Sequence, residues 1–535
     1  MKKSSSALTD NTRGEATAPG ARRASLKLNA VSSAGVMGLA ILVAFVLTPL
    51  MLRELGERRY GMWTLASSLV GYFSLLQFGL TTSVFRYVPH FRGRGEHDRV
   101  SAVVSSSLFF YSFVGIVVFL LLLGGANYIS AFFNGGRELA GLIRVLGFAF
   151  CLELPSLILN TTLTGYEEFT KTNVIAGWTL LLRGGLLLGC VWLGYGLVAM
   201  GWVLVIVRIA TLAGQLFLFK RVCTDVQVSL KAAHWKELRM LLMFGGVIVV
   251  ASTGNALAVE APKQIVGKLI SLETLAIFGV VMMLMSYFRQ LIFTLTKVLT
   301  PRFGFLSGSG ENAEIASLFL KSSRYVAMLA TGVALLAWVA GPRFLVLWTR
   351  REQMEQGIPA LLVLIAGNFV LLSNRVTSDL LLGLGRQGLL ATFELLEAVV
   401  IVGLTLWLSI QYGITGAALG MSLPFIIVRG VFQPAAVCRV VGVKLSYYYG
   451  KCVAGPWIVG FSLAVASGLL GVSQFARGWA SLTFLSVAAL VAYVAPVFVF
   501  VTTPSEKAYL KGRLAGVLAA WRPASRVATV SRPPA

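Results

Sequence analysis

Seven arginines stand inside stretches that are otherwise apolar enough to lie in hydrocarbon: Arg86, Arg144, Arg183, Arg208, Arg289, Arg375 and Arg429. A guanidinium stays charged and presents its N–H groups as a planar fork that fits phosphate or carboxylate. In hydrocarbon it must face a water-filled cavity, meet an acid, or reach back to the interface. Arg183 and Arg208 lie about halfway along their stretches, where reaching back is hardest. Arg289, Arg375 and Arg429 sit roughly two turns from one surface, and Arg86 lies closer to that same surface. Arg144 is near the opposite surface, where snorkelling accounts for it. Cations so placed predict a site for an anion.

Fewer acids accompany them: Glu153, Glu260, Asp379, Glu394 and Glu397. Asn368, Arg375 and Asp379 are spaced by seven and four, which puts them on one helix face and lets Arg375 and Asp379 neutralise each other. Glu394 and Glu397, three apart, also share a face. They either answer arginines of neighbouring helices, or one of them carries a coupling ion. Glu153, with Asn160 seven residues on, is a second candidate for proton coupling, set against a static ion pair.

The elements that position these groups follow from composition. Of 535 residues, 57% are hydrophobic and 13% charged, with a mean hydropathy of +0.80. No soluble fold covers that much apolar surface. The apolar residues fall into about fourteen stretches of roughly 20 residues, the length of a membrane-crossing helix. Strands of an outer-membrane barrel would be half as long and alternating. The expectation is an all-α polytopic membrane protein. The net charge of +24 reflects basic cytoplasmic loops rather than nucleic acid binding. Alternate connections hold 29 Lys and Arg on one side and 10 on the other, which puts both termini in the cytoplasm. No cleavable signal precedes the first span, which is expected to stay as a helix.

Residues 1–30 are expected to form a disordered basic cytoplasmic tail and 502–535 a second tail. Between them, loop motifs recur at offsets of 217–220: Tyr60-Gly61 with Phe278-Gly279, Gly165 with Gly385, and Tyr195-Gly196 with Tyr412-Gly413. This predicts two six-helix halves, 31–219 and 238–436, followed by spans 13 and 14 over 452–501. Trp192, Tyr195, Trp202, Trp338 and Trp348 are expected as an aromatic belt at one interface, and Tyr447, Tyr448 and Tyr449 as anchors at the other. Five cysteines without CxxC spacing predict neither disulfide nor metal. GxxxxGK[ST] and HExxH are absent from the sequence, and no cofactor or enzymatic chemistry is expected.

The entry to span 2, Leu55-Gly56-x-x-x-Tyr60-Gly61, its exit through Phe78-Gly79-Leu80 to Arg86-Tyr87, and the turns at Gly165 and Tyr195-Gly196 resemble polysaccharide flippases of the O-antigen type. These belong to the multidrug, oligosaccharidyl-lipid and polysaccharide exporter superfamily. The resemblance implies outward flipping of undecaprenyl-diphosphate-linked oligosaccharide across a bacterial cytoplasmic membrane for surface polysaccharide assembly. It also implies membrane lipids, proton or sodium coupling, and a polysaccharide polymerase and chain-length protein as partners. Arg183, Arg208, Arg86, Arg289, Arg375 and Arg429 are the expected substrate contacts. Glu153, Asp379, Glu394 and Glu397 are the expected coupling sites. The alternatives are a peptidoglycan-precursor flippase, separable by gene neighbourhood, and a drug or cation antiporter, which would need acids rather than arginines.

Overall fold

The computed structural model describes residues 19–502, with the side chains of most residues from 32 onward. The described chain is almost wholly helical, and it holds no strand among the described residues. In order, the helices are α1 (Pro19–Gly93), α2 (His97–Phe132), α3 (Gly136–Gly165), α4 (Phe169–Trp192) and α5 (Leu197–Val222). They continue with α6 (Trp235–Leu269), α7 (Leu272–Thr296), the short α8 (Leu299–Gly308) and α9 (Asn312–Thr349). Then come α10 (Ile358–Ser373), α11 (Arg375–Gly383), α12 (Gln387–Pro424), a π-helical stretch Phe425–Phe432 and α13 (Gln433–Val441). The last are α14 (Leu445–Tyr448), α15 (Ala454–Leu469) and α16 (Trp479–Pro496). Eleven described helical stretches are long and apolar enough to cross a membrane. A helix satisfies its own backbone polar groups, which is why it suits lipid. The expected all-α polytopic architecture is what the chain adopts.

Boundaries differ from expectation where a single residue does the work of a loop. The expected spans 1 (31–52) and 2 (61–88) run together as α1, bent at Gly56 (φ 75°). The expected span 11 (389–410) runs on through α12, bent at Gly413 (φ 57°), into span 12 (414–436), which continues into α13. A residue with a side chain is strained at such φ values, and glycine is not. The expected span 10 (358–382) is instead interrupted at Asn374 and continues as α11. The expected tail over residues 502–535 lies outside the described residues save its first position, as do residues 1–18; α1 already begins at Pro19.

The chain falls into two compact units. The first comprises residues up to Tyr287, with Trp348–Ala360 and Gln387–Pro424. Within it α6 packs along both α1 and α12, and glycines let the backbones approach. A Cβ on Gly245 would fall 2.3 Å from the Gly79 carbonyl oxygen, and one on Gly254 2.5 Å from that of Glu394. Small residues at such crossings maximise dispersion contact between membrane helices. The second unit comprises Phe288–Leu347, Leu361–Arg386 and the chain from Phe425. There Leu335 and Val339 of α9 pack on Tyr493 and Val497, and the Tyr493 hydroxyl donates to the Met328 carbonyl at 2.8 Å. Residues 238–436, expected as one half, contribute to both units.

The α5–α6 connection is fastened to α2 by serines. Ser101 Oγ accepts from Gln227 N at 3.0 Å and Ser106 Oγ from His234 N at 2.9 Å. Asp225 anchors the same loop. Its Oδ1 accepts from the Tyr166 hydroxyl at 2.7 Å, and its Oδ2 lies 2.8 Å from His97 Nδ1. Burial pushes the Asp225 carboxyl up, but the hydrogen bonds from Tyr166 and His97 outweigh it and hold the group below its ordinary value. A carboxyl depressed by folding adds stability above the unfolded range near 4, and that stability is lost as pH falls through the folded value. Asp225→Ala is therefore expected to speed amide exchange across residues 224–234 about tenfold at pH 7. Wild type should approach that behaviour only in acid. Equal exchange in the two proteins at pH 7 would show that the carboxylate does not hold the loop.

Candidate functional site

A cavity of about 410 Å³ opens in the first unit between α1, α3, α4 and α5. Each of the last three helices brings a polar stripe at helical spacing. From α3 come Glu153, Ser156 and Asn160; from α4, Thr172, Thr179 and Arg183; from α5, Arg208, Thr211 and Gln215. Steps of three, four and seven put each set on one face. Because α4 runs antiparallel to both neighbours in sequence order, the three stripes align by chemistry. Arg183, Arg208 and Glu153 form a charged tier, and Asn160, Thr172 and Gln215 lie toward one end. Leu146, Ala149, Phe150 and Leu204 line the other end.

Arg208 Nη2 meets Glu153 Oε1 at 2.7 Å. Ser156 Oγ donates to Gln215 Oε1 at 2.6 Å. Arg183 is exposed within the cavity wall and makes no hydrogen bond or ion pair with a described residue. The tier thus carries two guanidinium charges against one carboxylate. Low-dielectric walls strengthen its attraction for an anion relative to open water. No group of three or more His, Cys, Asp or Glu placed to hold a metal occurs among the described residues.

The other expected contacts lie elsewhere. Arg86 is exposed on α1, its guanidinium 4.7 Å from the Phe244 ring centroid. In the second unit Arg289 Nε donates to Asn368 Oδ1 and lies 5.1 Å from the Phe425 ring centroid. Arg375 Nη2 meets Asp379 Oδ1 at 3.0 Å, the one-turn pair expected from the spacing. Asn368, expected on that face, instead serves Arg289 because the break at Asn374 separates it from α11. Arg429 Nη1 donates to Gln433 Oε1 at 2.7 Å, and Gln433 Nε2 donates to Ser378 Oγ at 2.8 Å. Asp379 Oδ2 and Arg375 Nε are buried without a hydrogen-bond partner among the described residues.

Glu397 is buried on α12, and the Glu394 backbone faces Gly254. Sequence reasoning left out Lys263, which pairs with Glu260 at 2.7 Å one turn away. The i, i+3 spacing was the available signal. Two aromatic expectations are corrected. Trp348 is no belt residue, being 5% exposed with its Nε1 donating to the Phe45 carbonyl at 2.9 Å. Tyr448 is no surface anchor either, since it is fully buried, stacks on Phe319 and donates to Asn374 Oδ1 at 2.9 Å.

The chain is similar to several known proteins. A family model described as polysaccharide biosynthesis protein matches residues 26–307. A Shigella flexneri protein named for O-antigen transport is 22% identical over 70% of this chain and 89% of its own. The membrane protein EpsK of Bacillus subtilis (strain 168) is 22% identical over 88% of this chain and 94% of its own. Among solved structures, an inward-facing multidrug resistance transporter of the MATE family and MOP superfamily superposes with a TM-score of 0.66. It is 16% identical and covers 75% of this chain and 95% of its own, a likeness of fold.

Proposed function

Because the chain belongs to the polysaccharide biosynthesis protein family, we propose that it is a membrane transporter of the MOP superfamily that moves lipid-linked polysaccharide precursors. In its finer form the proposal is a flippase that carries undecaprenyl-diphosphate-linked oligosaccharide from the inner to the outer leaflet of the cytoplasmic membrane, with both termini inside. The observation that carries it is Arg183, a charged group held in a cavity wall beside a Glu153 carboxylate that is already bonded to Arg208.

Arg183 and Arg208 are the proposed diphosphate contacts. Phosphate would meet Arg183 directly and share Arg208 with Glu153. The amide and hydroxyl groups of Asn160, Thr172 and Gln215 suit a glycan, whose hydroxyls both donate and accept. The prenyl chain stays in lipid, so only the headgroup needs a hydrated route. Arg86 is the proposed first contact at the surface. Arg289, Arg375 and Arg429 form a second cationic set whose present partners an anion would have to displace. Glu153, Asp379, Glu394 and Glu397 are the proposed coupling groups for a proton or sodium ion.

An inside-negative potential drives an anion outward by about 2.3 kcal/mol per charge per 100 mV, so a doubly charged headgroup gains roughly 4–5 kcal/mol. The proposed motion is rocking of the two six-helix halves, 31–219 against 238–436. Deleting the gene is expected to trap carrier-linked glycan on the inner leaflet, and lipid extraction with leaflet-selective labelling detects it. Unchanged glycan distribution between leaflets in the deletion strain would overturn the proposal.

A further inference from the structure

A second recess, of about 570 Å³, lies where the Thr349 end of α9 meets the connection from α15 to α16. Arg343 stands on its α9 wall, and Gln474 and Arg477 on the other, with no acid among its described lining residues. α16 starts at Trp479, two residues beyond Arg477, so the unpaired backbone N–H groups of its first turn add positive potential at the same end. The surrounding side chains are apolar and open. Phe475 in the lining and Trp479 at the start of α16 are 75% and 48% exposed. The base is packed, with Ala340, Ala476 and Leu482 in one buried cluster and the Trp479 ring meeting Phe344 edge-on at 6.1 Å.

Guanidinium groups and an amide around a recess suit the oxygens of a phosphodiester. Val346, Leu347 and Phe475, which line the same recess, suit acyl chains at a membrane interface. A free phosphate would make no use of the apolar rim. A zwitterionic headgroup would bring its own cation toward two arginines. We propose that this recess binds an anionic phospholipid of the phosphatidylglycerol type, drawn from the leaflet at the Thr349 end of α9. α9, α15 and α16 all lie beyond residues 26–307. The site thereby gives spans 13 and 14, outside the internal repeat, a task of their own: tying the second unit to bilayer lipid.

The test uses the purified full-length chain in detergent with a photoactivatable phosphatidylglycerol, and maps the labelled peptides. Labelling is expected within residues 469–482. It should fall at least tenfold in Arg343→Gln/Arg477→Gln and persist in the double Lys variant. Unlabelled phosphatidylglycerol should compete, and phosphatidylcholine should not. Arg477→Gln alone, at an exposed position, gives the same reading if the double variant does not fold. Equal labelling by a phosphatidylcholine analogue, or labelling unchanged by the Gln substitutions, would overturn the proposal. So would competition by inorganic phosphate as strong as that of the lipid. A prenyl diphosphate competing at lower concentration than phosphatidylglycerol would assign the recess to exported cargo and overturn the bilayer-lipid reading.

Discussion

Arg183→Ala is expected to reduce export by one to two orders of magnitude while the protein inserts and accumulates as wild type. The magnitude follows from losing a charge-assisted contact to phosphate, worth about 1.5–3 kcal/mol, at tenfold per 1.4 kcal/mol. Insertion should be spared because Arg183 makes no hydrogen bond or ion pair with a described residue. Its removal leaves no orphaned partner. Arg208→Ala differs in this respect, since it strands Glu153 in the wall. That variant should lose protein level as well as transport, and adding Glu153→Gln should restore the level without restoring transport. Arg183→Lys keeps the charge but not the fork, and partial export is expected from it. The measurement is surface polysaccharide normalised to membrane-embedded protein. Full export by Arg183→Ala would remove the cavity from the mechanism.

The second large effect concerns stability. A Cβ on Gly61 would lie 1.8 Å from the Leu272 carbonyl oxygen and 2.7 Å from its carbon. Both are backbone atoms at the start of α7, and no rotamer change relieves the overlap. Forcing an extra methyl into close-packed surroundings costs about 1–3 kcal/mol and occasionally more. Gly61→Ala is expected at the upper end of that range. Gly185→Ala, where a Cβ meets nothing within 4 Å, is the matched control. Thermal unfolding followed by size-exclusion profile should separate the two variants clearly, and matching midpoints would show that α1 and α7 can part without cost. The same contact explains one sequence motif. Gly279, the counterpart of Gly61 in the repeat, faces Thr64 with 2.7 Å between an added Cβ and Cγ2. The two glycines serve one helix crossing from its two sides.

Much of this architecture is legible in the sequence alone. Twenty-residue apolar stretches announce membrane helices because lipid admits little else, and a charge inside one stands out. The Arg375–Asp379 pair was visible because one turn of helix brings the two together whatever the tertiary structure. The Glu153–Arg208 pair was not, since the rotation of α3 against α5 is set by packing. The cavity's polar stripes were hidden for another reason. Thr179 and Thr211 hydroxyls also donate to the Ile175 and Val207 carbonyls one turn back. Threonines satisfied in that way occur on any membrane helix. The interruption at Asn374 has neither proline nor glycine to announce it, and Gly56 and Gly413 turn the chain within a single residue where a loop would be expected. Tyr448 shows the limit of composition: three tyrosines beside lysines read as an interface, yet the middle one is core.

The bond between Glu153 and Arg208 also bears on how the chain is made. A mid-helix arginine is disfavoured on insertion by about 2.5–3.5 kcal/mol, and an acid by a similar amount. α3 leaves the ribosome first and would enter lipid with its carboxylate unanswered. The insertion machinery is therefore expected to retain α3 until α5 emerges and the charges meet, making the first five helices a single biogenesis unit. Chains truncated after α4 should be degraded faster than chains truncated after α5, and pulse-chase turnover measures the difference.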